Sequence, residues 1–357
     1  MTTTAEHQPS IVDLMETPIR ELDEVWLRAS LQWAITLELS TIPPYACGLW
    51  SIKDPKGERD KGVHKTIREV VFDEMSHMGL VCNMLTTIGG DPCFTKPGCY
   101  PIYPGKLPGG VRKSVDVFLS GLSHDALDLY CRIEMPTLPI APSEDEISIG
   151  EFYDRIESAF ERNEHLIKGT RQVTHPLGTW HGVGNDIVKL KSLDDVLLAL
   201  SIIKEQGEGT TSEARNPFPG TPGELAHYYA FREIREGKRM IKRDGSWEFR
   251  GADVAFPQVH PAARVPAGGW QSDTANVPNA DVRRTLDEFN QHFSTMLRKL
   301  EATWQVEDEL TQGNRLEAAI GHMSQMRERA QILMQTPLPA DKQKTYCPEF
   351  RYVQGGA

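Results

Sequence analysis

The stretch VVFDEMSHMGL, residues 70–80, sets Glu74 and His77 three residues apart inside an otherwise apolar run. Residues three apart lie on one face of a helix, so the acid and the imidazole share the stripe that should be buried. Around them the helical stripe reads Ile67, Val70, Glu74, His77, Val81, Leu85 and Ile88, with polar groups where hydrophobes belong. An isolated buried carboxylate costs several kcal/mol even after relaxation, so the chain must fold in a way that gives this one a partner.

The same anomaly recurs. A first helix is expected from Thr17 as cap, with Pro18 at its first position, to about Thr41, where Pro43 and Pro44 break or kink it. Its apolar face, Leu27, Leu31, Ala34 and Ile42, contains Glu38. The second helix covers about 62–88 and ends at GGDP. A Pro- and Gly-rich loop from Cys93 to Gly110 leads to a helix capped at Ser123 with Leu127, Tyr130 and Glu134 on one face. GEFYDRIESAFERN follows as an amphipathic packing segment with Phe152, Ile156 and Phe160 on one side. A helix capped at Ser192 carries Leu198, Ile202 and Glu205 on its expected inward face, with Glu208 three residues further on. ELAHYYAFREI is a short helix aligning His227, Phe231 and Ile234.

From Gly237 to Asn279 the chain is rich in Gly, Pro and Trp, with a hairpin expected at Asp244-Gly245 and irregular cover elsewhere. Two amphipathic helices, about 281–304 and 315–334, complete the pattern. The fold class is therefore all-α. We expect one domain over 1–357, with a four-helix core at about 18–235, a Pro/Gly-rich insertion at 237–280 and extra C-terminal helices at 281–335 packed outside the core.

Four helices each carrying an inward acid call for one shared cause. If Glu38, Glu74, Glu134 and Glu205 converge, two divalent cations balance four negative charges, with His77 beside Glu74 and His227 supplying nitrogen to the second ion. Glu208 is either a ligand or an acid that orients a ligand and moves protons. Oxygen and imidazole donors favour iron, with manganese as the alternative, over thiolate-preferring metals; spacing alone leaves zinc open.

A formal net charge of −11 without a basic block gives no footprint for nucleic acid, and no run of apolar residues is long enough to span a membrane. The N-terminus lacks a leader pattern, and the six cysteines form no CxxC pair, so the chain reads as a cytoplasmic protein with reduced thiols.

At LRASLQWAITLELSTIPPYA, EVVFDEMSHMGLVCNMLTTIGGDP, YCRIEMP, IGEFYDRIESAF, IIKEQGEG, ELAHYYAFREI and DEFNQHFSTMLRKL, the sequence resembles the ferritin-like domain family associated with iminophenylpyruvate dimer synthases of bisindole pigment pathways. EQGEG followed by HYYAF is the specific part. The resemblance implies a nonheme metal site and oxidative chemistry on imines or enamines made from aromatic amino acids. The leading expectation is thus a diiron oxidoreductase of secondary metabolism that uses dioxygen or a peroxide on a small nitrogen-containing substrate. A second copy of the chain or a pathway enzyme is the expected class of protein partner. The alternative is a metal-binding or storage protein with no organic substrate.

Overall fold

The computed structural model describes residues 9–57, 60–136, 147–182, 184–207, 213–219 and 223–354. Among these, the helices are α1 (Ile11–Glu16), α2 (Glu24–Trp50), α3 (Lys61–Thr87), α4 (His124–Ile133), α5 (Ile149–Arg162), α6 (Leu177–His181), α7 (Leu193–Gly207), α8 (His227–Glu236), α9 (Ala280–Thr303) and α10 (Glu309–Gln335). Two short antiparallel pairs accompany them: β1 (Gly105–Lys106) with β2 (Asp116–Val117), and β3 (Ile241–Arg243) with β4 (Ser246–Glu248). The second pair turns at Asp244 and Gly245, both at positive φ as a type I′ turn requires. The fold is all-α, as expected.

α2 departs from its expected bounds at both ends. Asp23 caps it through the Trp26 amide, while Thr17 closes the separate short helix α1. The helix then runs through Pro43 and Pro44 to Trp50. A proline inside a helix leaves the carbonyl four residues earlier without its donor. For Pro44 that carbonyl is Ser40, and the buried Tyr103 hydroxyl donates to it at 2.7 Å. The loop carrying Tyr103 thus supplies the hydrogen bond that the sequence of α2 removes, and the helix continues. At the other end of the chain α10 begins earlier than its apolar pattern implies, because Asp308 caps it through the Thr311 amide.

α2 and α3 are the two long members of the core, and two pairs of shorter helices complete it. α5 packs with α7, and α4 packs with α8. α2 touches both α4 and α5; α3 touches both α7 and α8. Each remaining side of the bundle is therefore built from two half-length helices. Their inner ends fall near the middle of α2 and α3, at the level of Glu38 and Glu74.

α9 and α10 pair with each other and lie against α2, outside this core. The face of α3 opposite Glu74 and His77 presents Met75, Met78 and Gly79 to an apolar layer that includes Met296, Met326 and Ile187. Gly79 lets Ile187 approach α3 closely: a Cβ would stand 2.4 Å from Ile187 Cδ1, so that side chain would have to shift. α3 is thus covered on both sides, which explains why it is buried continuously from Asp73 to Thr87.

The Tyr103→Phe variant should lose about 1–3 kcal/mol of stability, since it strands the buried Ser40 carbonyl without removing apolar volume. Urea unfolding would show this as a lowered midpoint at constant slope. An unchanged midpoint would mean that the proline-interrupted helix does not depend on this bond.

Candidate metal centre

The inner ends of the half-helices bring the functional groups together. Glu134 is the C-terminal cap of α4, which stops there because Pro136 cannot continue it. His227 is the first residue of α8. It is set by a short antiparallel contact in which the Asn216 amide donates to the Glu224 carbonyl and the Ala226 amide donates to the Ala214 carbonyl. Glu38 comes from the middle of α2, and Glu74 and His77 come from the middle of α3. All five residues are at most 5% exposed.

Their atoms form two groups that share one carboxylate. Glu38, Glu74 and His77 each present one donor atom within 4.8 Å of one another, and so do Glu74, Glu134 and His227. His77 Nδ1 lies 3.7 Å from Glu38 Oε2. His227 Nδ1 lies 2.9 Å from Glu74 Oε1 and 3.8 Å from Glu134 Oε2. The two imidazoles are nearly parallel, with centroids 5.7 Å apart.

Both rings turn Nδ1 inward and secure Nε2 on the outside. His77 Nε2 is 2.8 Å from Gln206 Oε1. The Gln206 amide nitrogen donates to the Phe218 carbonyl at 2.9 Å and reaches Asp73 Oδ1 at 3.5 Å. Asp73 Oδ2 is 3.4 Å from His227 Nε2. Gln206 and Asp73, neither of them exposed, thus tie the outer nitrogens of both rings into one arc. Such outer partners fix ring orientation and leave the inner nitrogen as the ligand. The remaining carboxylate oxygens are also held. Tyr153 donates to Glu38 Oε1, Tyr45 donates to Glu134 Oε1 at 2.5 Å, and the Thr41 hydroxyl is 2.8 Å from Glu74 Oε2.

The electrostatics are those of a cluster short of positive charge. Burial raises the Glu74 carboxyl, the charge on Glu134 adds to it, and His227 only partly offsets them, leaving a pKa of about 8. Burial pushes His77 down, but its hydrogen bond to Glu38 and the charges on Glu74 and Glu38 lift it to about 9. His227 is likewise disfavoured as a cation by burial, yet the nearby carboxylates of Asp73, Glu134 and Glu74 hold it well above the usual histidine range. Burial alone would raise Glu38, but hydrogen bonding and charge from His77, with further bonds to Glu74 and Tyr153, keep it below the ordinary value.

A divalent pair fits these residues on one further observation. His227 Nδ1 is buried and close to Glu74 Oε1, yet it lacks the in-line geometry of an N–H···O bond. A cation held by both atoms would give the buried imidazole nitrogen the partner it lacks. The donor set, three carboxylates and two imidazoles without sulfur, suits iron or manganese.

Two residues named from the sequence stand apart. Glu205 is half-buried and belongs to neither group. The buried face of α7 is Val196, Ala199, Leu200, Ile203 and Gln206, while Leu198 is 53% exposed. The face read from Leu198, Ile202 and Glu205 is therefore rotated by about one residue, and Gln206 takes the inward place. The apolar residues of α7 run nearly all round it, so its stripe does not define a phase. Among the described residues, three carboxylates make up the two groups. Glu208 lies outside the described residues.

Asp73, Gln206, Tyr45 and Tyr153 were not singled out as site residues from the sequence. Asp73 adjoins Glu74, and Gln206 lies within EQGEG, the stretch that carries most of the resemblance. Tyr153 sits in a segment whose apolar spacing spoke only of packing.

Among the described residues, no helix is long and apolar enough to cross a membrane. Among curated proteins, none matches the sequence. A solved structure of a ferritin-like protein from Caulobacter vibrioides is similar over 92% of this chain and 97% of that one, with a TM-score of 0.59 and 22% identity, a likeness of fold. The family model described as Ferritin-like matches residues 31–236, more than half of the chain and the span that contains both groups of ligand-type residues. The chain belongs to the ferritin-like family.

Proposed function

We propose that this protein is a nonheme diiron oxidoreductase acting on a small nitrogen-containing metabolite. The observation that carries the reading is the pair of buried His and carboxylate groups sharing Glu74, with both Nδ1 atoms inward and both Nε2 atoms tied outside. In it, Glu38 and His77 would hold one ion and Glu134 and His227 the other, with Glu74 common to both groups. Two bound iron ions supply oxidation with dioxygen or a peroxide as oxidant.

The protein's own groups do the rest. Gln206 and Asp73 keep the imidazole rings from turning. A narrow chamber beside the ligands is walled by Leu37, Ile149, Ile203 and Gly207, which limit the water that reaches them. Lys204 stands at this chamber, paired with Asp154 and Glu157. Glu208, the next residue after Gly207, is the acid we assign to moving protons. An imine or enamine derived from an aromatic amino acid is the substrate class that the sequence resemblance favours.

A storage protein would use the same ligands but has no need of α9, α10 and the irregular cover at 237–280. Metal analysis of the purified protein, ferrous reconstitution and oxygen uptake with a panel of imines and enamines test the oxidoreductase reading. A large hollow oligomer by gel filtration, with iron uptake and no substrate-dependent oxygen use, would favour storage.

His227→Ala should lower metal content from two ions to about one per chain and abolish oxidation while the helical circular dichroism persists. Full metal content in that variant would make His227 structural. Glu205→Ala should leave both ions in place, by the same metal analysis.

Metal uptake should strengthen as pH rises through about 8 to 9, where Glu74 and His77 lose their protons, and His227, also raised, must lose its own before it binds an ion. At pH 7, loading should release about three protons, seen by calorimetry in buffers of different ionisation enthalpy. Uptake that is flat from pH 6 to 9 with no proton release would contradict this electrostatic picture.

A further inference from the structure

The two carboxylates that end the centre, Glu38 and Glu134, are held in the same way. Each has one oxygen on the imidazole side: Glu38 Oε2 lies 3.7 Å from His77 Nδ1, and Glu134 Oε2 lies 3.8 Å from His227 Nδ1. Each gives its other oxygen, Oε1, to a buried phenol, Tyr153 for Glu38 and Tyr45 for Glu134. The two tyrosines come from different helices, α5 and α2, and neither is more than 1% exposed. Tyr45 is fixed further by ring contacts with Tyr130 and Phe231.

We infer that Tyr153 and Tyr45 are positioning residues that restrict Glu38 and Glu134 to binding through one oxygen each, so that each ion keeps an open coordination position. The inference rests on the dimetal reading above. A carboxylate that binds through both oxygens fills two positions on an ion, whereas one whose second oxygen accepts a hydrogen bond fills one. With the tyrosines in place, the described residues would offer each ion one oxygen from its own glutamate, one from the shared Glu74 and one imidazole nitrogen. That is fewer than the five or six donors iron or manganese takes, and the remainder is where an exogenous ligand binds. Without the phenol, the freed oxygen turns onto the ion and closes one of those positions.

A role in packing alone makes a different forecast. Losing the hydroxyl would then lower stability without altering how many atoms surround the ion. Tyr130 is the control: it is buried against Tyr45, but its hydroxyl donates to the Pro44 carbonyl and not to a ligand.

The test loads the full chain with cobalt(II), whose visible d–d absorption weakens as its coordination number rises, and titrates it with azide. Tyr153→Phe and Tyr45→Phe should each retain two cobalt ions and wild-type circular dichroism. Each should show weaker absorption, and an azide dissociation constant raised about tenfold for one of the two ions, the scale on which outer partners of metal ligands act. The double variant should show both changes, and Tyr130→Phe should match wild type. Wild-type spectra and azide binding in both single variants would overturn the inference while leaving the metal reading intact, as would outright loss of one ion. A wild-type protein that binds no cobalt would remove both.

Discussion

Everything in this molecule is arranged around Glu74, a carboxylate with 3% exposure that faces a histidine from α8 on one side and shares a second group with Glu38 and His77 on the other. Burying three acids within reach of one another is unfavourable by several kcal/mol each unless positive charge is supplied. Burial and the neighbouring carboxylates accordingly hold Glu74 and both imidazoles at raised pKa, so that each favours its protonated form. On the metal reading proposed above, two divalent ions would take the place of those protons.

The split architecture follows from the same need. A continuous helix presents a side chain to one level of a bundle only about once per turn. By ending α4 at Glu134 and starting α8 at His227, the chain brings helix termini to the centre, where the backbone can leave the helical path. The proline-containing stretch of α2 answers to a related constraint. Its lost hydrogen bond is replaced by Tyr103, so the helix stays continuous between Glu38 and Tyr45, and both reach the centre from a single element.

Outside the ligands, a second layer of fully buried polar groups performs the orientation. Gln206 and Asp73 secure the rings, and Tyr153, Tyr45 and Thr41 occupy the remaining carboxylate oxygens. Nearly every donor and acceptor there has a named partner. In a low-dielectric interior such a network holds its geometry well, because each broken bond strands a buried polar group. The extra helices α9 and α10 contribute no ligand-type residue to either group; they cover the opposite face of α3 and isolate the centre from solvent on that side.

Much of this could be read from the chain alone. An acid in an apolar stripe is a local signal, since helical periodicity fixes which residues share a face, and so Glu38, Glu74, His77 and Glu134 were legible, as were the all-α fold and the bounds of α3, α4 and α5. His227 was legible only by the need for a second nitrogen, because no periodicity crosses the proline-rich link before it. Three things required the tertiary structure. The rotation of α7, which puts Gln206 inward and Glu205 aside, depends on what packs against a helix that is apolar nearly all round. The continuation of α2 past two prolines depends on a hydroxyl from a distant loop. The roles of Tyr153 and Tyr45 depend on which carboxylate each phenol meets, and a phenol in an apolar stripe looks the same in sequence whether it fills space or holds a ligand. Sequence determines the face on which a group lies; only the packed fold decides what stands opposite it.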